Sequence, residues 1–169
     1  MSSLPAEERA VVDTVTEFVD RDVRPVVREL EHANEYPDKL IGQMKAMGIF
    51  GLAIPEPYGG APVSTPCYVE VTAELARGWM TLAGAMGGHT VVAKMLLHFG
   101  TEEQKQRYLP RMATGEVRAA MALTEPGGGS DLQAITTTAR PAARHGRRTP
   151  LRCRRPRVPP RKDCSPSAP

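Results

Sequence analysis

The segment Leu123-Thr-Glu-Pro-Gly-Gly-Gly-Ser-Asp131 marks the point where the sequence changes in character. Three consecutive glycines after a proline permit a backbone bend whose N–H groups point at one anion, because no side chain intrudes on the ligand. Thr124 and Ser130 flank the bend with hydroxyl groups that can donate hydrogen bonds. No Gly-Lys-Ser/Thr follows and no helix opens from the bend, so it is neither a P-loop nor a dinucleotide fingerprint. Two interpretations remain open, an anion-binding loop and a plain surface turn.

Upstream of this bend, apolar residues recur every three or four positions, which predicts a mainly α body of four or five helices. The first helix is expected over residues 5–32. Pro25 should kink or divide it, because proline lacks the N–H that the helix needs. The second helix is expected to end at Gly48. Its predicted buried side chains are Leu40, Ile41, Met44 and Met47.

Residues 50–60 are rich in proline and glycine and are predicted to form a loop. Thr65 stands before Pro66, which predicts an N-cap followed by proline in the first turn of a helix that runs to Arg77. Residues 119–124 form a short apolar run, predicted to be a strand or an extended entry segment.

Residues 79–99 are predicted to form an apolar helix that contains Gly84, Gly87 and Gly88. Glycine inside a helix costs about 1 kcal/mol relative to alanine. The glycines therefore indicate either close approach of another helix or a ligand, or simply a weakened helix. Thr101 and Gln104 have the spacing of a capping box, which opens a last helix.

Charge is distributed unevenly along the 169 residues. Residues 1–140 contain 13 basic and 18 acidic residues, whereas residues 141–169 contain 9 basic residues and 1 acidic residue. The latter segment holds 7 of the 16 prolines and only two large aliphatic residues, Leu151 and Val158, so it is predicted to be disordered. The body is acidic, which argues against nucleic-acid binding.

The sequence contains no apolar run long enough for a membrane span, and its N-terminus lacks the basic and apolar regions of a signal peptide. Its three cysteines do not form an even disulfide framework. These features favour the cytoplasm.

Few side chains outside the glycine bend suggest chemistry. His89 and His98 are nine residues apart, unlike a helical metal-binding pair, so core or surface histidines are expected and no metal site is predicted. Cys67 lies near a helix start, which can lower a thiol pKa, but no partner base is evident and a buried, inert cysteine is favoured.

Three blocks together resemble the acyl-CoA dehydrogenases, flavin enzymes that introduce a double bond between Cα and Cβ of acyl-CoA thioesters. Residues 123–131 resemble the family signature T-E-P-x-x-G-S-D, and the segments 51–60 and 99–111 support it. The resemblance implies a helical domain at residues 1–118 and the opening strand and loop of a β-barrel domain at residues 119–140. The resemblance further implies that this chain lacks the rest of the barrel and the family's C-terminal four-helix bundle. Residues 141–169 would be a disordered tail.

The resemblance also implies a site for FAD along residues 121–130. Leu123 and Thr124 would contact the flavin through backbone and hydroxyl groups, and Ser130 would serve the pyrophosphate and lie close to the acyl-CoA substrate. Met121 occupies a position that is often aromatic in relatives. The residues expected to bind the cofactor are Met121, Ala122, Leu123, Thr124, Gly129 and Ser130.

For the whole enzyme the resemblance implies a role in fatty acid metabolism, electron transfer flavoprotein as acceptor and a homotetramer. The family's catalytic glutamate comes from the C-terminal domain, so no catalytic residue is expected here and the chain should be inactive alone. Two alternatives are a helical interaction protein whose basic tail contacts nucleic acid or anionic lipid, and a non-redox acyl-CoA-binding remnant.

The tail itself suggests a further hypothesis. In relatives a second flavin-facing segment that contains Trp follows the signature, but no Trp follows Trp79 here. Instead the family-like sequence stops near Arg140. We therefore hypothesise that the Pro/Arg-rich sequence after Arg140 is an alternate-frame translation of a GC-rich gene, caused by a frameshift or a sequencing error.

Overall fold

Helices dominate the computed structural model, which describes residues 4–140 and 152–154. The described helices are α1 (Ala6–Phe18), α2 (Val27–Ala33), α3 (Asp38–Ala46), α4 (Thr65–Gly78), α5 (Met80–Phe99) and α6 (Glu102–Ala113). Two 3₁₀ turns lie between α3 and α4. Ile49–Gly51 overlaps the start of the loop predicted at residues 50–60, and Glu56–Tyr58 lies within that loop. The chain divides at residue 121 into two units, which are described separately below. The mainly α fold class is confirmed.

The predicted break of the first helix is confirmed near Pro25. Helix α1 continues through a π-helical turn, Val19–Val23, before α2 begins at Val27. Val12, Val15, Val19 and Val23 are buried, whereas Val26 is 36% exposed because the chain turns there. Helix α2 ends at Asn34, whose φ of 53° is in the left-handed region.

Helix α3 follows its prediction closely. Leu40, Ile41 and Met44 are buried, Met47 is half-buried, and Gly48 has a φ of 72° after the helix. A positive φ favours glycine because it has no Cβ to clash with the backbone. The sequence pattern therefore predicted both the buried face and the stop.

The N-cap of α4 is Ser64, and the prediction of Thr65 was wrong by one position. The Ser64 hydroxyl accepts a hydrogen bond from the Cys67 N–H at 3.4 Å, and Thr65 is the first helical residue. Glu8 of α1 fixes the cap, because its carboxylate accepts hydrogen bonds from the Ser64 N–H and hydroxyl, each at 2.6 Å. Both residues have capping side chains, so the contact with α1 decides between them.

Two clusters of buried side chains form the core of the first unit. The larger cluster has 18 buried residues from α1, the π-helical turn, α3, α4, the first half of α5 and the connecting segments. The smaller cluster joins the second half of α5 to α6 and the 3₁₀ loop. Its buried residues are Ile54, Ala93, Leu109, Met112 and Ala113.

The second unit begins at residue 122 and holds short elements. A 3₁₀ turn spans Leu132–Ala134, and strand β1 (Thr138–Arg140) pairs antiparallel with β2 (Arg152–Arg154). For residues 119–124 the prediction was a strand or an extended entry segment. No strand forms there among the described residues, and the segment is neither helical nor paired, which leaves the second alternative. The predicted disordered tail lies outside the described residues, apart from β2. None of the described helices is long and apolar enough to span a membrane.

Candidate functional site: the glycine bend

The bend predicted from the sequence is a four-residue turn. The Glu125 N–H donates to the Gly128 carbonyl at 2.8 Å, and the Gly128 N–H donates back to the Glu125 carbonyl at 3.1 Å. A Cβ added at Gly127 or Gly128 would meet nothing within 4 Å, whereas one at Gly129 would lie 3.2 Å from the Thr124 side chain. A side chain at position 129 would therefore crowd the Thr124 side chain.

Glu125 holds the bend against the segment that leads into β1. Its carboxylate accepts hydrogen bonds from the Thr136 N–H at 2.9 Å, the Thr136 hydroxyl at 2.7 Å and the Thr137 N–H at 2.8 Å. These bonds from Thr137 and Thr136 lower the pKa of Glu125 to about 2. The carboxylate is therefore ionised at neutral pH, and its negative charge faces hydrogen-bond donors.

Asp131, at the other end of the bend, also has a local structural role. Its carboxylate accepts a hydrogen bond from the Gln133 N–H at 3.0 Å and caps the 3₁₀ turn. Sequence reasoning missed both carboxylates as loop-forming residues. The two-residue spacing at Asp131 is the signal of an Asx turn and could have been found, whereas the partners of Glu125 lie 11 and 12 residues away.

Several groups in the bend remain available to a ligand. Within the described part of the chain, the N–H groups of Gly127, Gly129 and Ser130 have no hydrogen-bond partner, nor do the backbone groups of residues 122–124. The Thr124 and Ser130 side chains are exposed, and Leu123 is 40% exposed. N–H and hydroxyl donors beside an exposed apolar residue suit a pyrophosphate and a flat heteroaromatic ring, so the residues present fit FAD.

The structure places the predicted site residues in both units. Thr124 and Gly129 lie close together, and Ala122, Leu123 and Ser130 belong to the same unit. Met121 is the last residue of the helical unit and is 39% exposed. The FAD and substrate roles of these residues remain predictions.

Helix α5 carries an open apolar face in the helical unit. Residues spaced by three or four positions lie along it, with Met80 70% exposed and Phe99 85% exposed at its two ends. A Cβ added at Gly84, Gly87 or Gly88 would meet nothing within 4 Å, so no other described helix approaches these glycines. The other exposed apolar residues of the face are Val91 and Met95.

The remaining candidates do not form a reactive site. His89 is fully buried, His98 is exposed, and no group of His, Cys, Asp or Glu side chains in the described ranges could hold a metal ion. Cys67 is buried, and burial raises the pKa of its thiol. The cysteine is therefore protonated at neutral pH and is a poor nucleophile.

Comparison with known proteins identifies the helical unit. A model of the acyl-CoA dehydrogenase N-terminal domain matches residues 5–116. An acyl-CoA dehydrogenase of Bacillus subtilis is 36% identical over 126 residues, which are 74% of this chain and 33% of the relative. The helical body is therefore an N-terminal domain of a class of oxidoreductases. The chain belongs to the acyl-CoA dehydrogenase family, as the resemblance predicted.

Solved structures support the same assignment. An acyl-CoA dehydrogenase from Bacillus anthracis, solved with FAD, is 34% identical with a TM-score of 0.70, over 81% of this chain and 24% of that one. A chain in a structure described as the electron transferring flavoprotein of Acidaminococcus fermentans is 33% identical with a TM-score of 0.76, over 82% and 37%. The present chain spans about a third of the length of the curated relatives it matches.

Proposed function

We propose that this chain supplies the helical domain and the flavin-contacting loop of an FAD-dependent dehydrogenase that desaturates acyl-CoA thioesters between Cα and Cβ. The observation that carries the proposal is the match over residues 5–116, followed by a bend whose N–H groups at Gly127, Gly129 and Ser130 have no hydrogen-bond partner among the described residues. When bound, FAD supplies the acceptor for the hydride from Cβ.

In this proposal the residues of the bend divide into two groups. Leu123 and Thr124 hold the ring through backbone groups and the Thr124 hydroxyl, and Ala122 and Met121 flank it. The N–H groups of Gly129 and Ser130 and the Ser130 hydroxyl bind the pyrophosphate, and Ser130 also lies beside the acyl-CoA. Glu125 keeps these donors in place through its bonds to Thr136 and Thr137.

The carboxylates of the bend are poor candidates for the base that removes the α-proton. Glu125 has a pKa of about 2 and accepts three hydrogen bonds, and Asp131 caps a turn. An effective general base has a pKa closer to the working pH. We therefore infer that the base comes from the C-terminal portion of the family enzyme and that this chain alone does not turn over acyl-CoA.

The proposal extends to the whole protein's context. The relatives include an acryloyl-CoA reductase (NADH) and the chain in the electron transferring flavoprotein structure. They support acyl-CoA as substrate and electron transfer flavoprotein as acceptor. A homotetramer, a cytoplasmic location and a role in fatty acid metabolism complete the proposal.

Flavin titration of the full 169-residue chain tests the role of the bend. FAD fluorescence should be quenched on binding, and Thr124→Val and Ser130→Ala should each weaken binding about tenfold, since each removes a hydrogen bond to a polar or charged ligand group. Thr14→Val, on the exposed face of α1, is the matched control. Failure to bind FAD, or equal binding by all four proteins, would overturn the proposal. Turnover of acyl-CoA by the chain alone would refute its inactivity.

A further inference from the structure

Helix α5 passes through both core clusters, and the apolar core is interrupted between them. Met86 belongs to the larger cluster and Ala93 to the smaller one. Between them lie His89 and Thr90, which are the buried polar side chains of the described residues. One turn of α5 therefore places polar groups at the boundary of the two clusters.

The two polar residues differ in their hydrogen bonding. Thr90 accepts a hydrogen bond from the Tyr68 hydroxyl of α4 at 2.9 Å. His89 is 0% exposed, and within the described ranges neither of its ring nitrogens has a partner with hydrogen-bond geometry. Its ring packs edge-on against Phe50, with the ring centroids 5.2 Å apart. The imidazole is thus buried at the junction without a hydrogen bond of good geometry.

Among the described residues, three neighbours influence the pKa of His89 in addition to burial. Burial lowers the pKa of His89 below its ordinary 6.5, and the Arg118 guanidinium, in the segment after α6, lowers it further. The backbone carbonyls of Met112, in α6, and Phe50, in the 3₁₀ turn, act in the opposite direction without reversing the shift. No carboxylate of the described residues contributes to the balance.

We propose that His89 is a pH-sensitive joint, at which protonation releases α6 and the smaller cluster while the larger cluster stays folded. Protonation of His89 is unfavourable at this junction, because burial removes the water that would solvate the imidazolium and the carbonyls of Met112 and Phe50 offset only part of that loss. Movement of α6 exposes His89 to water and disrupts only the smaller cluster, which has 5 buried residues. Exposing His89 by opening the larger cluster instead would disrupt 18 buried residues. The smaller cluster therefore opens first. This inference does not depend on the proposed flavin function.

Hydrogen exchange of the full chain, followed by mass spectrometry at pH 7.5 and pH 5 and corrected for intrinsic rates, tests the joint. Opening of α6 should rise by up to about thirtyfold between these pH values, the limit for one histidine with an unfolded pKa of 6.5. Helices α1 and α4 should not change in the same interval.

Two variants complete the experiment. His89→Asn should abolish the pH dependence of α6, and His98→Asn, at an exposed position of the same helix, should retain it. The wild-type pattern is decisive even if His89→Asn does not fold. Equal acceleration in α1, α4 and α6, no acceleration at pH 5, or persistence of the effect in His89→Asn would overturn the proposal.

Discussion

Different interactions stabilise the helical body and the glycine bend, each considered by itself. The described part of the body contains 23 buried hydrophobic side chains, whereas no residue between 122 and 138 is buried. In the bend, order comes from hydrogen bonds of exposed groups, above all those of the Glu125 carboxylate. The body should therefore respond to changes in volume, and the bend to changes in charge.

The largest effect is expected from a cavity in the body. Val71 and Val69 lie on the same helix, α4, but Val71 is 0% and Val69 57% exposed. Val71→Ala should lower the free energy of unfolding by about 2–3 kcal/mol, because it removes two buried methyl groups and leaves a void. Val69→Ala should change it by less than about 0.5 kcal/mol. Urea unfolding of both variants measures the difference, and similar losses would contradict the assigned packing.

Added volume should have the next largest effect. A Cβ at Gly78, the last residue of α4, would lie 2.8 Å from a Val19 methyl group, whereas one at Gly84 of α5 meets nothing within 4 Å. Gly78→Ala should destabilise the chain by about 1–3 kcal/mol through overpacking. Gly84→Ala should stabilise it by about 0.5–1 kcal/mol, because alanine favours the helix. Thermal unfolding distinguishes the two signs, and destabilisation by Gly84→Ala would show that the α5 face is covered.

A smaller effect is expected at the start of α6. The Thr101 hydroxyl accepts from the Gln104 N–H at 3.3 Å, and the Gln104 side chain accepts from the Thr101 N–H at 2.9 Å. Thr101→Ala removes one half of this capping box and should cost about 1 kcal/mol, whereas Thr101→Ser should cost less because it keeps the acceptor. Chemical denaturation of both variants provides the comparison.

This capping box illustrates which features the sequence predicts well. Thr101 and Gln104 are three residues apart, and both caps and helix faces depend on such local spacing. Thr65 was predicted as the N-cap of α4 in place of Ser64 because either side chain can cap a helix. The contact that favours Ser64 comes from Glu8, 56 residues away. The family signature located the bend, but the role of Glu125 depends on contacts 11 and 12 residues away. Caps and helix faces could therefore be predicted from the sequence, whereas contacts between residues far apart in the sequence could not.

The bend itself should loosen in acid. The pKa of Glu125 is lowered from 4.5 to about 2 in the folded state, so its stabilising contribution is present above pH 4.5 and is lost as the pH falls towards 2. Exchange of the Thr136 and Thr137 amides, corrected for intrinsic rates, should accelerate over this interval.

Glu125→Gln should show the faster exchange already at pH 7, because a neutral amide is a weaker acceptor than a carboxylate. Glu56→Gln, at an exposed position in the helical unit, is the matched control and should leave both amides protected. Since the Glu125 side chain buries little apolar surface, the midpoint of urea unfolding of the body should be unchanged in both variants. A lower midpoint in Glu125→Gln alone would show that the charge of Glu125 also stabilises the helices. It would contradict the distinction between a body stabilised by packing and a bend stabilised by hydrogen bonds to a charged group.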